Sequence, residues 1–492
     1  MRTPQSILVT GRDTALWLAV NVLHAALSPA GIKIDAVELP SQQRVDDVHV
    51  TLPALEALHT LLGLEEAQIL RATGGAFSLG QMFTGFAGAR SPFFHAYGSY
   101  GAPIEGQAFF PFWLKARSLG LNVELEDFSL TAAAAKQGRV LIPDATTEAF
   151  GRTDYGYHLP AMAYAGLLKA RAVAAGVTIH AARTVGVTRG DDGIAALTLD
   201  GGRTVSADLF VDATGRLMDA LGVERASWRD WFPCDRLLAV SAPRMRTIPS
   251  YAQVRAQSDG WLAFHPSQVR THLIRAYAGA DLSDDEALAS TAVVSGLALG
   301  DAVVTASEPG CRERLWAGNC VAIGEAACRF DAIDSVDLHA VQTGLVHLLS
   351  LFPVGDDWDA LRTEYDRVVG RTFARIRDFQ AAHYRLNRYG RSAMWNRARE
   401  AAPPPELAQK IAAFQARGAI VWLDDETFSE DSWRALFTGH GLTPDSYDPR
   451  IDRIDPLVIK RDLKTILGFI KDQVNDQASH DSYLELFCAA DA

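Results

Sequence analysis

Residues 6–17 read Ser-Ile-Leu-Val-Thr-Gly-Arg-Asp-Thr-Ala-Leu-Trp, an apolar run that reaches a glycine and then continues with helical spacing. Residues 6–9 predict a buried strand, and residues 17–27 predict a helix. Residues 11–16 lie where a Gly-x-Gly-x-x-Gly turn holds the diphosphate of a dinucleotide. The stretch therefore predicts a strand, a turn and a helix of the dinucleotide-binding type.

This turn keeps only the first of the three glycines, as Gly11. Asp13 replaces the second glycine, which normally lets the backbone approach the diphosphate, and it adds a negative charge to an anion site. Leu16 replaces the third glycine, which normally allows the helix to pack closely on the strand. With Thr14 and Ala15 between them, these residues predict a dinucleotide scaffold whose binding chemistry is altered.

A second strand at residues 32–38 follows the helix and ends in Glu38, which completes a βαβ unit. An acid at this point normally accepts hydrogen bonds from a ribose hydroxyl, and the alternative is that Glu38 is a polar strand end. Other apolar patterns predict strands at residues 194–199, 208–215 and 318–327, helices at 55–62 and 161–175, and a mostly helical region from residue 357 onward.

The composition fits a globular protein and excludes several classes. The 492 residues are 48% hydrophobic and carry a net charge of −12, so no nucleic-acid partner is expected. Five scattered cysteines without a C-x-x-C pair indicate a reducing compartment and no zinc site, so we expect a cytoplasmic protein. No signal-peptide pattern precedes the first strand, and no apolar run of about 18 residues predicts a membrane span.

Five segments together resemble one family, the flavin-dependent tryptophan halogenases, which have the fold of the FAD-dependent monooxygenases. The resemblance runs from residue 6 to about residue 450. Its segments are the first strand and turn up to Trp17, residues 38–53, Gly75-Ala76-Phe77 with Phe83 and Phe94-His95-Ala96-Tyr97-Gly98, the two motifs Asp212-Ala213-Thr214-Gly215 and Gly324-Glu325-Ala326-Ala327, and residues 410–433.

The resemblance implies an α/β protein with a FAD-monooxygenase-type dinucleotide-binding fold, an added β-sheet that covers the substrate and a helical C-terminal part. Residues 1–355 would form the α/β domain, with the substrate sheet inserted at about 75–155 and 225–310. Residues 356–492 would form the mostly helical part that covers the substrate site.

The family also implies a reaction. A separate reductase supplies reduced FAD. The reduced FAD reacts with oxygen and a bound chloride or bromide to yield hypohalous acid. A lysine near the substrate receives the hypohalous acid, and a glutamate helps the aromatic ring to lose a proton. The FAD contacts of this chain would come from Gly11, Asp13, Thr14, Ala15, Glu38, Gly215, Gly324 and Glu325. The aromatic substrate pocket would be lined by His95, Tyr97 and Gly98.

The positions expected to carry this chemistry depart from the family pattern. Ser78 occupies the position of the lysine, and a hydroxyl cannot form a chloramine. Asp334 occupies the position of the glutamate and is followed by a retained Ser335. Val336 and Asp337 replace the Thr-Gly pair whose N–H groups hold the halide. Two like charges a few ångströms apart repel by roughly 4 kcal/mol at an effective dielectric of about 20, so we expect weak halide binding.

Other positions leave alternatives open. His49, in an altered loop, and His265, in an altered Gly-Trp-x-Trp-x-Ile-Pro motif, are candidate general bases or ordinary structural histidines. Asp334 with Ser335 is either an acid/base pair or a solvated helix start that one of them caps. The acidic run at residues 424–426 has the composition of a metal site, but a solvated turn is preferred and no metal is expected.

The sequence thus predicts a tryptophan-halogenase-like pseudoenzyme that has lost halogenation and tight FAD binding, and that binds a small aromatic ligand or a partner protein. The alternative is a divergent FAD-dependent halogenase or monooxygenase that acts on an aromatic, indole-type substrate with reduced FAD from a separate reductase. A third hypothesis is a flavin-independent enzyme that uses His49, His265 or Asp334 as acid or base. A homodimer, or association with an active homologue, is expected.

Overall fold

The structure is a computed structural model that describes residues 3–142, 153–355 and 357–488. The chain divides into two compact units, which we call unit 1 and unit 2. Unit 1 consists of residues 1–75, 159–229 and 307–377, and unit 2 of residues 76–158, 230–306 and 378–492. The expected domains at residues 1–355 and 356–492 stay a prediction, and residues 143–152 of the expected insert lie outside the described residues.

In chain order, the strands of the described residues are β1 (Ser6–Gly11), β2 (Lys33–Glu38), β3 (Val48–Val50), β4 (Ala76–Ser78), β5 (Gly80–Thr84), β6 (Phe93–Ala96), β7 (Gly156–Pro160), β8 (Thr178–Ala181), β9 (Gly186–Gly190), β10 (Gly193–Thr198), β11 (Thr204–Val205), β12 (Leu209–Asp212), β13 (Arg225–Ser227), β14 (Arg236–Pro243), β15 (Ala252–Gln257), β16 (Gly260–Pro266), β17 (Arg270–Tyr277), β18 (Val303–Ala306), β19 (Gly310–Arg312), β20 (Trp316–Ala317), β21 (Cys320–Ala322) and β22 (Cys328–Arg329).

The α-helices of the same residues are α1 (Asp13–Leu27), α2 (Leu55–Leu62), α3 (Glu66–Thr73), α4 (Phe109–Ser118), α5 (Leu130–Lys136), α6 (Ala161–Ala174), α7 (Arg216–Ala220), α8 (Asp284–Ser295), α9 (Asp337–Ser350), α10 (Asp359–Arg385), α11 (Ala393–Glu400), α12 (Pro405–Arg417), α13 (Glu430–Gly439), α14 (Pro456–Asn475) and α15 (His480–Phe487).

Unit 1 is built around a six-stranded sheet in the order β20–β21–β12–β1–β2–β8, parallel except for β20. Residues 7–9 of β1 are at most 2% exposed, as expected for a parallel strand that is covered on both faces. Helix α1 packs against β1, β2, α6 and α9. The carboxyl ends of the parallel strands meet at one edge, where α/β sheets of this kind bind ligands.

Unit 2 is built around a seven-stranded sheet in the order β18–β14–β17–β16–β15–β5–β6. Its neighbours are antiparallel except for the pair β15–β5. One face of β14, β16 and β17 contributes alternating side chains, such as Val240, Leu262 and Leu273, to a core cluster that includes Ala287 of α8. This period-two burial is what fixes the register of an antiparallel sheet.

The predicted α/β fold is confirmed, and its boundaries differ in two places. Helix α1 begins at Asp13 rather than at residue 17, so the altered turn forms the first turn of the helix itself. The strand predicted at residues 318–327 is shorter, because β21 leads into a 3₁₀ turn, Gly324–Ala326, and then into β22. The region after residue 357 is mostly helical, as predicted. Within the described residues, no helix is long and apolar enough to cross a membrane.

Candidate functional site

The turn between β1 and α1 is closely packed in unit 1. A Cβ on Gly11 would lie 3.0 Å from the Cβ atoms of both Ala213 and Leu16, which is tighter than ordinary contact. Leu16 is 0% exposed and belongs to the core beneath the turn. Leu16 therefore supplies an apolar contact of its own at the position where the motif normally has glycine.

Asp13 adopts a φ of 55°, the left-handed conformation for which this motif normally uses glycine. Asparagine and aspartate tolerate this region better than other residues because their short polar side chains bond locally. One oxygen of the Asp13 carboxylate accepts hydrogen bonds from the backbone N–H groups of Gln42, at 2.9 Å, and Gln43, at 3.3 Å. The negative charge of Asp13, which was expected to repel a diphosphate, is thus hydrogen-bonded by the loop that follows β2.

A polar triad supports the inner side of this turn. The Nε2 atom of His49 lies 2.8 Å from Oγ1 of Thr14 and 3.0 Å from Nε2 of Gln43. The surrounding protein lowers the pKa of His49 to about 4, an effect that Asp13 opposes, so the ring is neutral at neutral pH. These contacts favour the structural interpretation of His49. Ala15, which follows Thr14, is half-buried.

Glu38 ends β2 at the same edge of the sheet, opposite Gly11 in the register. One of its carboxylate oxygens accepts a hydrogen bond from Lys169 Nζ at 2.6 Å, and this ammonium also lies 5.3 Å from the ring centre of Trp17. The side chain of Glu38 keeps 24% of its surface exposed. Lys169 therefore fixes the carboxylate while leaving its second oxygen for a ligand hydroxyl.

The Asp-Ala-Thr-Gly motif closes β12 with a capped turn. The carboxylate of Asp212, which is 0% exposed, accepts hydrogen bonds from N–H groups of Gly215, Leu217 and Met218 at 2.9–3.0 Å. Gly215 has a φ of 83°, and its carbonyl accepts a bond from Arg312 at 3.0 Å. Gly215 therefore allows the chain to turn after β12, next to the turn that follows β1.

Two arginines stand at the end of these neighbouring strands. Arg12 immediately precedes α1, and Arg216 is the first residue of α7. Thr10 pairs with Asp212, and the N–H of Ala213 donates to the carbonyl of Thr10 at 2.8 Å, so the carboxyl ends of β1 and β12 lie side by side. Among the described residues, neither guanidinium has a hydrogen-bonding or ion-pair partner. Partial burial and the charge of Arg216 lower the pKa of Arg12, whereas Asp13 and Glu325 raise it.

The second glycine motif lies next to α9. A Cβ on Gly324, whose φ is 55°, would lie 2.7 Å from Val341 of α9, so this position requires glycine. Asp337, the first residue of α9, has its pKa raised to about 7 by the surrounding protein and by the carboxylates of Glu325 and Asp331. Asp337 and Glu325 nevertheless keep substantial solvent-exposed surface, and solvent therefore screens part of this effect.

The positions before α9 are more buried than predicted. Asp334 is 2% exposed and Val336 is 0% exposed, so the interpretation of a solvated helix start is wrong. Ser335 has a left-handed φ of 50°, and no side chain caps α9, whose N-cap residue is Val336. The capping role proposed for Asp334 or Ser335 is therefore also wrong. The dipole of α9 would stabilise an anion placed near this helix end.

Ser78, in the position of the family lysine, lies in β4 of unit 2 and is 0% exposed. Its hydroxyl donates a long hydrogen bond, 3.4 Å, to the carbonyl of Gly80. None of the eight lysines of the chain offers a buried and unbonded amine. Five amines bond to neighbouring groups, those of Lys33, Lys115, Lys136, Lys169 and Lys410. The other three lysines lie exposed on α14, at Lys460, Lys464 and Lys471.

The predicted substrate residues of unit 2 lie in an aromatic cluster. His95, on β6, is 2% exposed, and its ring centre lies 5.3 Å from Phe379 and 6.0 Å from Phe428. The rings of Phe379 and Phe428 stack at 3.8 Å, and Tyr97 lies 6.2 Å from His95. Gly98 follows with a φ of 121°. This arrangement combines flat apolar faces with polar edges, as an aromatic ligand requires.

The side chains of His265 and of Glu426, in the acidic run at residues 424–426, are both buried. His265 is 1% exposed, its ring centre lies 5.4 Å from that of His158, and burial followed by the charges of neighbouring histidines lowers its pKa. Glu426 forms a buried ion pair with Lys410 at 2.7 Å. The ammonium of Lys410 also lies 4.8 Å from the ring centre of Trp433. The solvated turn predicted for this run is therefore wrong at Glu426.

Together, the parallel sheet, the glycine turn after β1 and the acid at the end of β2 define an α/β fold of the FAD-monooxygenase type. The family model described as Tryptophan halogenase matches residues 6–456. The chain therefore belongs to the tryptophan halogenase family.

Solved structures agree over the full length. BrvH, a flavin-dependent halogenase from Brevundimonas sp. BAL3, is 32% identical, with a TM-score of 0.92 over 98% of this chain and 99% of that chain. Xcc4156, a flavin-dependent halogenase from Xanthomonas campestris, is 29% identical, with a TM-score of 0.93 over 100% of both chains. Tryptophan 6-halogenase SttH from Streptomyces toxytricini is 24% identical over 91% of this chain and 88% of its own length.

The structure places the predicted residues in two sets. Unit 1 holds the cofactor, glutamate and halide positions, and unit 2 holds Ser78 and the aromatic set. Sequence reasoning missed Lys169, Arg12 and Arg216. The two arginines carried a usable signal, because each directly follows the glycine that ends a predicted strand.

Proposed function

We propose that the protein is a divergent FAD-dependent halogenase or monooxygenase that acts on a small aromatic, indole-type substrate with reduced FAD from a separate reductase. The observation that carries this proposal is the carboxyl edge of the unit 1 sheet, where Gly11, Glu38 and Gly215 lie at the ends of neighbouring strands. The full-length likeness to two flavin-dependent halogenases, of which one is 32% identical, supports it further.

The residues of unit 1 fit a flavin dinucleotide. The free carboxylate oxygen of Glu38 would accept a ribose hydroxyl, and the uncapped first turn of α1 would direct its N–H groups at the diphosphate. Gly324 would keep the backbone close to α9. When bound, reduced FAD supplies the activation of oxygen. In unit 2, His95, Tyr97 and the stacked phenylalanines would hold the aromatic ring.

Residue 78 bears on which product forms. A hydroxyl cannot carry a halogen as an amine does, so transfer through a lysine has no acceptor at this position. Asp334 keeps a buried carboxylate at the position that the family's glutamate occupies. We therefore expect oxygen transfer to outweigh halogen transfer in this chain.

A second candidate is the pseudoenzyme predicted from the sequence, a non-catalytic protein that binds an aromatic ligand or a partner. Ser78 favours it, because replacing the essential amine by a buried hydroxyl is the change expected once halogenation is no longer selected. The two candidates differ in a measurable way, since only the first consumes oxygen in a substrate-dependent reaction.

The deciding experiment supplies the purified protein with FAD, a flavin reductase, NADH and indole or tryptophan, with and without bromide. A product that has gained one oxygen or one bromine, detected by mass spectrometry and absent without the protein, supports the proposal. Unchanged substrate together with saturable binding of the aromatic compound supports the non-catalytic candidate instead.

The variant Ser78→Lys tests the assignment of residue 78, with Ser78→Met as a control of similar bulk and no charge. We expect the lysine variant to raise the brominated fraction of the product at least severalfold and the methionine variant to leave it unchanged. Near-ultraviolet circular dichroism of both variants checks that the buried substitution leaves unit 2 folded. Equal bromination in both folded variants contradicts the assignment.

A further inference from the structure

The edge of the unit 1 sheet carries an unexplained pair of cations. Arg12 follows β1 and Arg216 follows β12, and these strands are hydrogen-bonded neighbours in the sheet. The charge of Arg216 disfavours the protonated form of Arg12, so the two side chains are close enough to interact electrostatically. Within the described ranges, neither guanidinium has a carboxylate partner that would offset this repulsion.

Two carboxylates influence Arg12, those of Asp13 and Glu325, but neither forms an ion pair with Arg12 or Arg216. The Asp13 carboxylate accepts bonds from the N–H groups of Gln42 and Gln43. Glu325 influences Arg12 only through space, without an ion pair between them. The two arginines thus present their donors at the point where a dinucleotide places its most negative group.

We propose that Arg12 and Arg216 form a two-cation clamp for the diphosphate of a dinucleotide, which adds side-chain donors to the N–H groups of the first turn of α1. Each guanidinium offers several N–H donors in a planar fork that matches phosphate oxygens. The clamp offsets the negative charge introduced by Asp13, so the altered turn keeps an anion site of different construction. The identity of the dinucleotide as FAD rests on the proposed function; the diphosphate clamp itself does not.

Equilibrium binding without turnover tests the clamp. Affinities of the purified protein are measured for FAD, for ADP, which has the diphosphate, and for AMP, which lacks one phosphate. Variants are Arg12→Gln, Arg216→Gln and the double substitution, with Arg203→Gln as a control that removes the same charge from an exposed loop of unit 1.

We expect either single substitution to weaken ADP and FAD binding about tenfold, and the double substitution about a hundredfold, because charge-assisted hydrogen bonds are lost. AMP binding should change less, and Arg203→Gln should change none of these affinities by more than about twofold. The urea midpoint of the ligand-free variants should be unchanged or raised, since the substitutions relieve a repulsion between like charges.

Four outcomes separate the clamp from the flavin function. Weakened ADP and FAD binding at an unchanged or raised urea midpoint supports both. Weakened ADP binding in a protein that never binds FAD supports the clamp and overturns the flavin function. Equal FAD affinity in the wild type and the folded double variant overturns the clamp and leaves the flavin function standing. A wild type that binds neither ADP nor FAD overturns both.

Discussion

Two long helices of unit 1, α1 and α9, both begin with an aspartate in a position where the family has glycine, and neither has a side-chain cap. At the start of α1, Asp13 lies in a left-handed conformation and its carboxylate accepts bonds from two backbone N–H groups. At the start of α9, desolvation by the surrounding protein, followed by the charges of Glu325 and Asp331, raises the pKa of Asp337 to about 7. The same substitution therefore has opposite electrostatic consequences.

The comparison teaches that the effect of an added charge depends on the donors around it. Asp13 is compensated by N–H groups and lies beside Arg12, so the dinucleotide end of the sheet is not left with an unpaired anion. Asp337 has acidic neighbours and is protonated in part at neutral pH. The added charge is therefore less well compensated at the start of α9 than at the start of α1.

The largest expected effect concerns the third motif position, Leu16. Reversion to the family residue, Leu16→Gly, should not improve cofactor binding, because the side chain is fully buried in the core under α1. We expect Leu16→Ala to lower the free energy of unfolding by about 3 kcal/mol and Leu16→Gly by about 1 kcal/mol more. Urea denaturation followed by circular dichroism measures this. A stable glycine variant with tighter FAD binding would show that the leucine does hinder the site.

The next effect concerns halide binding at the start of α9. Because the surrounding protein raises the pKa of Asp337 toward about 7 and solvent screens part of this shift, its charge grows as the pH rises from 5 to 8, so bromide affinity should fall severalfold over this range. Asp337→Asn should bind bromide with little dependence on pH. Bromide titrations by calorimetry at both pH values test this, and parallel pH dependence in the two proteins would mean that another group is responsible.

A smaller effect of Asp337 is expected on the free energy of unfolding. Because the pKa of Asp337 is raised in the folded protein from its ordinary 3.8, the native state binds this proton more tightly than the unfolded chain does. Stability is therefore lost as the pH rises from about 4 to about 7, and by about 1 kcal/mol once solvent screening is allowed for. The Asn variant should lack this part of the pH profile of the urea midpoint.

The smallest expected effect is at Asp13. Asp13→Asn keeps the left-handed backbone and an oxygen acceptor for Gln42 and Gln43, so FAD affinity should change by less than about threefold. Asp13→Ala keeps neither, and it should lower the free energy of unfolding by about 1–2 kcal/mol. If fluorescence titration gives a tenfold or greater gain in FAD affinity for the Asn variant, the comparison between the two aspartates fails.

The sequence was sufficient for the order of the elements that build unit 1. The apolar runs predicted β1, β2 and α2 because buried strands and helices have distinct periods, and the motif glycines identified the binding edge. It was less reliable at boundaries, and it placed the start of α1 at residue 17 because Arg12 and Asp13 do not have the composition of a helix interior.

The sequence alone determined the family, the absent lysine at Ser78 and the presence of two aspartates in place of glycines, since these are matters of residue identity. Only the tertiary structure decided what the aspartates do. Residues 42 and 43 supply donors to Asp13 from a distant part of the chain, and pairing of β1 with β12 brings Arg12 and Arg216 together. Charges act through space, so their partners depend on the fold rather than on their order in the chain.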